Sequence, residues 1–532
     1  MSSNTAKVNY SFTPERRYSK KVAIIGSGSA GIGALWALNR TPHDVYIYEA
    51  ENRLGGHTNT VEWSYGKSKT LVDTGFIVLN TATYPNFISF LKVLGVPVMP
   101  TEMTFGVSRD SGLFEWAGSS IASVFAQFSN ILSPRMWRMI FDVIRFNQFA
   151  LDLLRDENIK LKLDAASNQD GRQSKYLRDQ ELTIGEYLAR EGYSDAFRDD
   201  YLIPMTASVW STSPDKCSLQ FPAKTLVRFM WNHHLLSIIT ARPQWLTLKY
   251  GAKSYIDAVM KGFPPNHVFL NSPVKSVRNE GSSKVRIFLP NGKSELYDHV
   301  IIATHGDQAF QLIQDGANDE ERSILSGFQT SKNIAVLHSD LRLMPIRRGV
   351  WSAWNYITKS SATSKNIDQV CLTYNMNILQ HIPRSVFGDV LVTLNPLYPP
   401  NEKLVQGTYT YSHPMYNTDA IKSQQLLHRI QNKRGISFAG AWTRYGFHED
   451  GFSSGLQAAI EHLGAKLPFQ FKDSTFSRGK QPALSTLDLI LRVLILAIQN
   501  LIVVIEILFC IERSPKESYG LAECPDIMKK EI

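Results

Sequence analysis

Cysteine is scarce in this 532-residue chain: it occurs four times, at positions 217, 371, 510 and 524, and never as a Cys-x-x-Cys pair. The sequence therefore argues against a disulfide framework and against a cysteine-rich zinc site. Charge is sparse too, because charged residues make up 20% of the chain and hydrophobic residues 43%. This composition excludes global disorder and predicts a large core, on the scale of a two-lobed enzyme.

A strong net charge and a secretory signal are both missing. The net charge of +9 is modest for this length, so it favours contact with an anionic membrane surface but does not indicate a nucleic-acid partner. Residues 1–20 form a polar segment with no apolar stretch. We therefore expect no signal peptide and a body that lies in the cytoplasm.

The apolar stretch near the C-terminus lacks the uninterrupted run of about 20 residues that a membrane-spanning helix requires. Its longest uncharged part, residues 493–505, has 13 residues. Four polar residues of the stretch fall on one narrow helical face, because they are spaced by four, seven and seven positions. They are Asp488, Arg492, Gln499 and Glu506.

Three interpretations of this stretch stay open. A helix at about 485–511 can lie in the membrane interface, span the bilayer once with its charged ends reaching outward, or pack on the protein body or a partner. Basic residues flank both ends, so the sequence indicates no orientation. We expect association with a membrane surface or bilayer through this helix.

A strand, a glycine turn, a helix and a second strand follow one another near the N-terminus. KVAIIG at 21–26 is typical of a buried parallel strand, and Gly26-Ser-Gly28-Ser-Ala-Gly31 opens a helical stretch. The second strand, DVYIYE, ends at Glu49. Gly26 permits the tight turn, Gly28 lets the helix N-terminus approach a pyrophosphate, and Gly31 lets helix and strand pack closely. This order predicts a dinucleotide site.

Glu49 and the residues after it indicate which dinucleotide is bound. A carboxylate at this position can accept hydrogen bonds from ribose hydroxyls and repels a 2′-phosphate, so NADP is disfavoured. The next residues read Glu49-Ala50-Glu-Asn-Arg53-Leu-Gly55-Gly56-His57. An acid, a short linker and Arg-Leu-Gly-Gly resemble the FAD-binding fingerprint of the flavin-containing amine oxidase superfamily. The resemblance implies that the arginine and the glycines lie near the FAD phosphates and the flavin.

Residues 436–459 resemble the C-terminal FAD motif of the same superfamily: a strand, Ala-Gly, a loop, then an acidic-Gly stretch that opens a helix. A helix N-terminus near Gly451 to Gly455 would point backbone N–H groups at the flavin pyrimidine carbonyls. Between the two motifs, strands joined by an Asn291-Gly292 turn are predicted. In the family, the backbone of the valine that matches Val274 contacts the adenine.

These motifs predict an α/β protein with a Rossmann-like, discontinuous FAD-binding domain of the glutathione-reductase type, an inserted α+β substrate domain and a C-terminal hydrophobic helix. The expected division is a polar segment at 1–20, an FAD-binding domain at 21–115, 245–310 and 430–465, a substrate domain at 116–244 and 311–429, and a tail at 466–532.

The candidate cofactor-binding residues follow from the same motifs, together with an Asp-Thr-Gly segment that resembles a family segment near the flavin. The cysteine that some relatives link to the flavin has no match near the second motif, so we expect non-covalent FAD. The candidates are Gly26, Gly28, Ser29, Ala30, Gly31, Glu49, Ala50, Arg53, Gly55, Gly56, His57, Thr74, Gly75, Val274, Gly440, Glu449, Asp450, Gly451 and Phe452.

The resemblance covers about residues 20–465 and is most specific for one subgroup. Segments such as LVDTGFIVLNTATYPNF at 71–87 and GAWTRYGFHEDG at 440–451 resemble amine-oxidase-like flavoproteins of bacteria and fungi that accompany fatty-acid-modifying enzymes. A related domain is fused to plant cyclopropane fatty acid synthases. The resemblance implies a small hydrophobic substrate, either an acyl lipid or a biosynthetic intermediate.

The second motif departs from true amine oxidases. Ala441 and Trp442 stand where many members have Thr-Glu, and His448 replaces a tyrosine of the substrate cage, which weakens the case for amine oxidation. His448 is the first catalytic candidate, as a proton shuttle or an orienting group, and a histidine fixed by Glu449 for structural reasons is the alternative. Lys332 is the second candidate, by its position relative to a lysine near flavin N5 in many relatives.

No metal site is predicted. Adjacent His233 and His234 point about 100° apart on a helix, and further ligands at the right spacing are missing. The sequence favours an FAD-dependent oxidoreductase that passes a hydride from a hydrophobic substrate to flavin N5, as a desaturase does, with oxygen or a redox partner as acceptor. A flavin-dependent isomerase without net redox change, a non-catalytic flavoprotein and an amine oxidase stay open.

Overall fold

The fold is described from a computed structural model, which describes residues 19–155, 182–210, 219–236, 243–281, 284–360, 367–476, 478–479 and 482–508. In this part of the chain the strands are β1 (Lys21–Ile25), β2 (Asp44–Tyr48), β3 (Thr60–Tyr65), β4 (Ser68–Asp73), β5 (Leu79–Asn80), β6 (Val98–Thr101), β7 (Phe105–Arg109), β8 (Phe114–Ala117), β9 (Trp245–Leu248), β10 (Val268–Phe269), β11 (Ser276–Glu280), β12 (Lys284–Phe288), β13 (Ser294–Tyr297), β14 (His299–Ile302), β15 (Thr330–His338), β16 (Trp354–Ser360), β17 (Ile367–Asn375), β18 (Leu391–Leu394), β19 (Val405–Pro414) and β20 (Ile436–Phe438).

The α-helices of the same residues differ widely in length, from one turn to six. They are α1 (Ser29–Leu38), α2 (Pro85–Leu94), α3 (Ile121–Val124), α4 (Pro134–Phe149), α5 (Ile184–Glu191), α6 (Asp195–Phe197), α7 (Ile203–Trp210), α8 (Ala223–Asn232), α9 (Lys253–Met260), α10 (Gly306–Ile313), α11 (Asp319–Leu325), α12 (Met376–Leu379), α13 (Arg384–Phe387), α14 (Thr418–Leu426), α15 (His448–Leu463) and α16 (Thr486–Leu508).

A five-stranded parallel sheet forms one layer, with the strand order β10-β2-β1-β14-β20. Its central strand β1 is apolar at nearly every position and its residues from Val22 to Ile25 are buried. Such a continuous apolar run is what a strand needs when both faces of the sheet are covered. The strand predicted before Thr304 is β14, and the Asn291-Gly292 turn joins β12 to β13.

Helices α1 and α15 pack against each other at very short range, because glycines stand at their contact. A Cβ on Gly455 would lie 1.9 Å from the Ala30 carbonyl oxygen, and one on Gly33 would lie 2.7 Å from that of Phe452. Helix α15 begins at His448, before the expected Gly451 to Gly455. The start lies earlier because the Asp450 carboxylate accepts the Phe447 N–H, at 3.0 Å, and so caps the first turn.

A seven-stranded sheet forms the second layer, with the order β19-β15-β18-β17-β16-β7-β8. Strands β7 and β8 were expected in the FAD-binding segment that ends at residue 115, but β7 pairs with β16 in parallel. Hydrogen bonding therefore assigns residues 105–117 to the second sheet. Local patterns do not reveal a partner strand that lies some 250 residues away, so the sequence alone did not indicate this pairing.

Helix α16 is long and apolar enough to cross a membrane. Residues Thr486–Ile505 have a mean hydropathy of 2.3, and among the described residues no second helix of at least 18 residues passes the same test. Only the length and the composition of the helix indicate that it can cross a membrane, and a buried core helix of a soluble protein can meet the same two criteria. Here the helix is almost entirely unburied.

Candidate functional site

One elongated cavity of about 1150 Å³ runs from the parallel sheet to the seven-stranded sheet. At one end it is lined by the residues that follow β1, β2 and β14, because parallel strands of one sheet end at the same edge. At the other end it reaches β19, from Thr408 to Pro414. The cavity therefore connects the two layers of the molecule.

Two glycine turns form a cradle at the first end. Gly26 has a φ of +95°, and a Cβ there would lie 2.8 Å from the Ala303 carbonyl oxygen. Gly56 has a φ of +55° and a Cβ there would lie 3.2 Å from the Gly28 Cα. A Cβ on Gly28 itself would meet no atom within 4 Å. The backbone at the start of α1 thus faces open space, where its free N–H groups favour an anion such as a pyrophosphate.

Glu49 is held rigidly at the edge of this cradle. One carboxylate oxygen accepts the Ser27 N–H at 2.9 Å and the Ser27 hydroxyl, and the other accepts the Glu51 N–H at 3.0 Å. The side chain lines the cavity together with Val274. A fixed carboxylate beside the cradle suits ribose hydroxyls, which donate hydrogen bonds.

Arg53 acts on the glycine turn itself. Its guanidinium donates to the Gly56 carbonyl oxygen at 2.8 Å and to the Thr58 carbonyl oxygen at 3.2 Å. The turn needs this support because Gly55 and Gly56 both take positive φ, a conformation without helix or sheet hydrogen bonds. The cradle, the carboxylate and the cavity volume together fit an extended dinucleotide such as FAD.

Three histidines meet where the two halves of the cavity join. The ring centroid of His57 lies 5.0 Å from that of His413 and 5.9 Å from that of His305. Burial holds the pKa of His57 well below its usual range and lowers the pKa of His413 to about 4. All three line the cavity, so its middle presents neutral imidazoles at physiological pH.

His57 has a buried ring nitrogen, Nε2, without a hydrogen-bond partner among the described residues. A buried polar atom without a partner costs free energy, so it indicates a place where a ligand binds. Sequence reasoning found His57 but missed His305 and His413. His305 could have been found, because it follows β14 at the carboxyl edge of the sheet, whereas His413 stands in a strand with no local motif.

His448 lines the cavity and lies in an aromatic cluster. Its ring stacks on Phe76 with 3.7 Å between centroids, and its Nε2 pairs with the Tyr255 hydroxyl at 3.0 Å. Burial lowers the pKa of His448 to about 3. The Glu449 carboxylate instead accepts the N–H groups of Asn86 and Phe87, so the residue that holds the imidazole of His448 is Tyr255 and not Glu449.

Thirteen of the nineteen predicted cofactor residues line the cavity: Gly26, Gly28, Ser29, Ala30, Glu49, Ala50, Arg53, Gly55, Gly56, His57, Gly75, Val274 and Gly440. Six do not: Gly31, Thr74, Glu449, Asp450, Gly451 and Phe452.

Those six residues support the site from outside, and Lys332 is not part of it. A Cβ on Gly31 would lie 1.9 Å from the Gly26 carbonyl oxygen, so Gly31 serves helix–strand packing as predicted. Thr74 bonds to the Tyr411 hydroxyl at 2.7 Å. Lys332 is exposed on β15, because the alternation of the strand turns Asn333, its neighbour, into the interior.

The far end of the cavity is apolar and aromatic. The lining residues there include Phe229, Leu235, Trp245, Trp354 and Tyr374. The described lining residues contain two carboxylates, those of Glu49 and Glu51, and both lie at the glycine cradle. This end therefore offers no acidic partner to a cation. The described residues also contain no group of three or more potential ligands that could hold a metal ion.

Known proteins resemble the chain in sequence at low identity. A 15-cis-phytoene desaturase of an Oncidium hybrid is 25% identical over 424 residues, which is 75% of this chain and 62% of the relative. A protein of Mycobacterium tuberculosis named as a flavin-containing monoamine oxidase is 25% identical over 206 residues, which is 38% of this chain and 39% of the relative. The chain thus spans less than two thirds of the length of these relatives.

Solved structures resemble it in fold. Cyclohexylamine oxidase from Brevibacterium oxydans matches with a TM-score of 0.57 at 14% identity and covers 84% of this chain and 99% of that one. A fatty acid isomerase from P. acnes, which produces conjugated linoleic acid (CLA), matches with 0.54 at 14% identity, over 83% and 98%. At such identity the likeness shows a mixed α/β fold alone. A family model described as flavin containing amine oxidoreductase matches residues 29–338, more than half of the chain, and so shows that the chain belongs to that family, whose cofactor is FAD.

Proposed function

We propose that the chain is an FAD-dependent oxidoreductase that removes hydrogen from an apolar substrate, as a desaturase does. The observation that carries the proposal is the far end of the cavity, which is aromatic and, among its described lining residues, free of carboxylates. An ammonium group would be buried there without an acidic partner, which costs free energy, whereas an apolar chain gains free energy on burial. An acyl lipid or an apolar biosynthetic intermediate fits this chemistry.

The names of the sequence relatives also bear on the choice between desaturation and amine oxidation. The sequence relative that covers most of the chain is named as a phytoene desaturase, while the one named as a monoamine oxidase matches half as much of it. The fatty acid isomerase among the fold neighbours is also named for an apolar substrate. The longer sequence match therefore favours desaturation, whereas the fold neighbours, which include a cyclohexylamine oxidase, do not decide between the two reactions.

For FAD we propose non-covalent binding to a Rossmann-like layer made of the parallel sheet, α1 and α15, within a domain of residues 21–104, 245–310 and 430–465. Glu49 would hold ribose hydroxyls, the start of α1 at Gly28 the pyrophosphate, and the Val274 backbone the adenine. Bound FAD supplies a two-electron acceptor for hydride, and oxygen or another acceptor takes the electrons onward. Cys371 is buried away from the cavity lining, and Cys217, Cys510 and Cys524 lie outside the described residues.

The chain's own residues would exclude water and hold a proton. Removing two hydrogens from neighbouring carbons releases one as a hydride and one as a proton, and the proton needs an acceptor that an apolar cavity rarely offers. We assign that role to Nε2 of His57, which is buried, without a partner among the described residues and kept neutral by its lowered pKa, so that it accepts the proton only transiently and passes it on. His448 is already bonded to Tyr255, so we assign it the task of fixing the aromatic wall rather than moving protons.

The test is reduction of the bound flavin without oxygen. The holoprotein is titrated anaerobically with fatty acyl lipids, with polyenes and with amines, while the oxidised flavin band is recorded. We expect bleaching with an apolar compound and none with amines. Bleaching by amines alone contradicts the proposal, and a product with a moved double bond but no bleaching establishes an isomerase instead.

A variant pair tests the role of His57. His57→Gln should slow flavin reduction at least tenfold while FAD content stays the same, because the amide cannot take up a proton at physiological pH. His299→Gln is the matched control, since His299 is buried and bonded to Ser437 but does not line the cavity. Equal rates in both variants would remove His57 from the proposed chemistry.

A further inference from the structure

Helix α16 is built with its polarity reversed relative to a helix on the surface of a soluble protein. Its polar side chains face the protein. The Arg492 guanidinium donates to the Asp152 carboxylate at 2.9 Å and to the Gln148 carbonyl oxygen. The Gln148 amide donates to the Asp488 carboxylate at 3.2 Å.

The same inward face continues along the helix. Arg145 donates to the Gln499 amide oxygen at 2.6 Å, and Ile495, between Arg492 and Gln499, is buried. Arg145 is itself buried and also donates to the Glu191 carbonyl oxygen, so it anchors α16 to the body. Three of the four polar residues of the predicted stripe are therefore satisfied by α4 and the residues just after it. The side chain of Glu506, the fourth, lies outside the described part of the chain.

The opposite face of α16 is aliphatic and uncovered. Val493 is 67% exposed, whereas the Arg492 side chain beside it is 11% exposed. A 23-residue helix is about 35 Å long, so this face is far larger than the apolar patches that soluble monomers expose. The exposed aliphatic side chains include Ile490, Val493, Leu494, Leu501, Ile507 and Leu508.

A second apolar patch lies beyond the other end of α4. Along α16, Asp488 is bonded to Gln148, Arg492 to Asp152 and Gln148, and Gln499 to Arg145, so α16 contacts the C-terminal part of α4 and the residues just after it. The N-terminal end of α4 lies away from these contacts. There the chain exposes Ile121, Phe128, Leu132 and Trp137, of which Leu132 is 83% exposed. We name these four residues the α3–α4 patch.

The contacts with α4 decide between the three interpretations of the tail. If α16 crossed a bilayer, the C-terminal end of α4 would enter the hydrocarbon with it, since Arg145 and Gln148 are hydrogen-bonded to α16. Helix α4 carries Arg138, Asp142 and Arg145, and charged side chains in the hydrocarbon cost about 2.5–3.5 kcal/mol each or more. Packing on the protein body does not by itself account for the whole helix, because it covers only the polar stripe and leaves the aliphatic face exposed.

We propose that α16 and the α3–α4 patch together form a docking surface that seats in one leaflet of a lipid bilayer, with α16 lying along the membrane plane and its polar stripe bound to α4. The occupant is the acyl layer of the lipid, because a continuous aliphatic surface of this length has no polar group with which to recognise a folded partner. This inference does not depend on the proposed reaction.

The docking surface adjoins the apolar end of the cavity. The segment that leads into α16 crosses α8, where the Arg478 guanidinium donates to the Trp231 carbonyl oxygen at 3.0 Å and Asn232 donates to the Thr475 carbonyl oxygen. Phe229 of α8 and His233, just after it, line the cavity. A substrate dissolved in the membrane would thus meet the protein on the side where the aromatic part of the cavity lies.

The first test is flotation of the full-length holoprotein with phosphatidylcholine vesicles. We expect Leu494→Glu, on α16, and Leu132→Glu, in the α3–α4 patch, each to lower the vesicle-bound fraction at least fivefold with FAD content unchanged. Leu71→Glu is the matched control, because Leu71 is an exposed leucine on β4 outside the surface. Loss of binding in Leu494→Glu but not in Leu132→Glu would overturn the two-part surface.

The second test distinguishes lying from spanning. A membrane-impermeant maleimide is added outside the vesicles, and labelling at Ser485→Cys and at the native Cys524 is read by peptide mass spectrometry. A helix in the membrane plane leaves both positions labelled without detergent, whereas a spanning helix protects one of them until detergent is added. A protein that fails to float and stays dimeric in every condition overturns the proposal in favour of a second copy covering the face.

Discussion

At the scale of single residues, one glycine of the first turn is required by the fold and another is explained by the ligand. Gly26 and Gly28 stand two residues apart in one turn, yet their surroundings differ. A Cβ on Gly26 would meet the Ala303 carbonyl oxygen at 2.8 Å at a φ of +95°, so glycine is required there by the protein itself. A Cβ on Gly28 would meet no protein atom within 4 Å, so glycine there is explained by a ligand that binds in the cavity.

Gly28→Ala should therefore leave the melting temperature of the FAD-free protein unchanged and reduce the FAD content at least tenfold, because the new methyl group would occupy the space at the start of α1. Melting curves and the flavin absorbance after purification measure the two effects. Gly316→Ala, at another open glycine outside the cavity, should change neither. Full flavin content in Gly28→Ala would place the pyrophosphate elsewhere.

The buried His448 makes the stability of the protein depend on pH. Burial lowers its folded-state pKa to about 3, below the unfolded value of 6.5, so the unfolded chain binds the proton more tightly. The stabilising contribution is complete above pH 6.5 and is lost as the pH falls. At pH 5 the loss reaches about 2 kcal/mol, from 1.5 pH units at 1.36 kcal/mol each.

His448→Phe keeps the stacking on Phe76 and removes the titrating group, so the variant should lose about 2 kcal/mol less than the wild type between pH 7.5 and pH 5. Urea unfolding at both pH values measures this difference. His428→Phe, at an exposed histidine, should follow the wild type. Parallel curves for all three proteins would show that His448 is hydrated in the native state.

At the scale of elements, the close contact between α1 and α15 determines where the glycine cradle lies. Both helices pack on the parallel sheet, and the start of α1 forms the cradle. A Cβ on Gly455 would lie 1.9 Å from the Ala30 carbonyl oxygen, inside α1 itself. Any side chain at this position must therefore push the helices apart and displace the cradle with them.

Gly455→Ala should destabilise the protein by about 1–3 kcal/mol through overpacking, although alanine in a helix normally gains up to about 1 kcal/mol over glycine. Chemical denaturation measures the change. The FAD content should fall as well, since α1 moves. A more stable variant would show that the helices have room to separate without strain.

At the scale of the whole molecule, the tail is attached to a body that is complete without it. Helix α16 contacts α4 and the residues just after it through the Arg492–Asp152 ion pair, whose carboxylate is 42% exposed, and through a few hydrogen bonds, and such contacts contribute about 0–1 kcal/mol each. The cavity, by contrast, is lined by residues of the body between Ile25 and His448.

Deleting residues 482–532 should therefore leave the FAD content unchanged and shift the melting temperature by less than about 2–4 °C, the shift expected for about 1 kcal/mol in a large domain. The truncated protein should stay in the supernatant of a membrane preparation without detergent. A truncated protein that still sediments with membranes, or that loses its flavin, would show that the tail belongs to the body.

The dinucleotide motif could be predicted from the sequence because the interactions that form it are local. The turn at Gly26, the helix after Gly28 and the acid at Glu49 lie within about 30 residues, and each interacts with its near neighbours. The polar stripe of α16 was readable for the same reason, since helical periodicity places Asp488, Arg492 and Gln499 on one face. Family membership and FAD followed from these local patterns.

Only the tertiary structure decided what those local patterns contact. The stripe of α16 faces α4 rather than water, because Arg145 and Asp152 lie some 340 residues away in the chain. Long-range packing also brought His305 and His413 to His57, paired β7 with β16, and turned Glu449 toward the start of α2. Residue type and spacing determine which elements form, but which side chains meet depends on burial and on hydrogen bonds that close only when distant segments pack together.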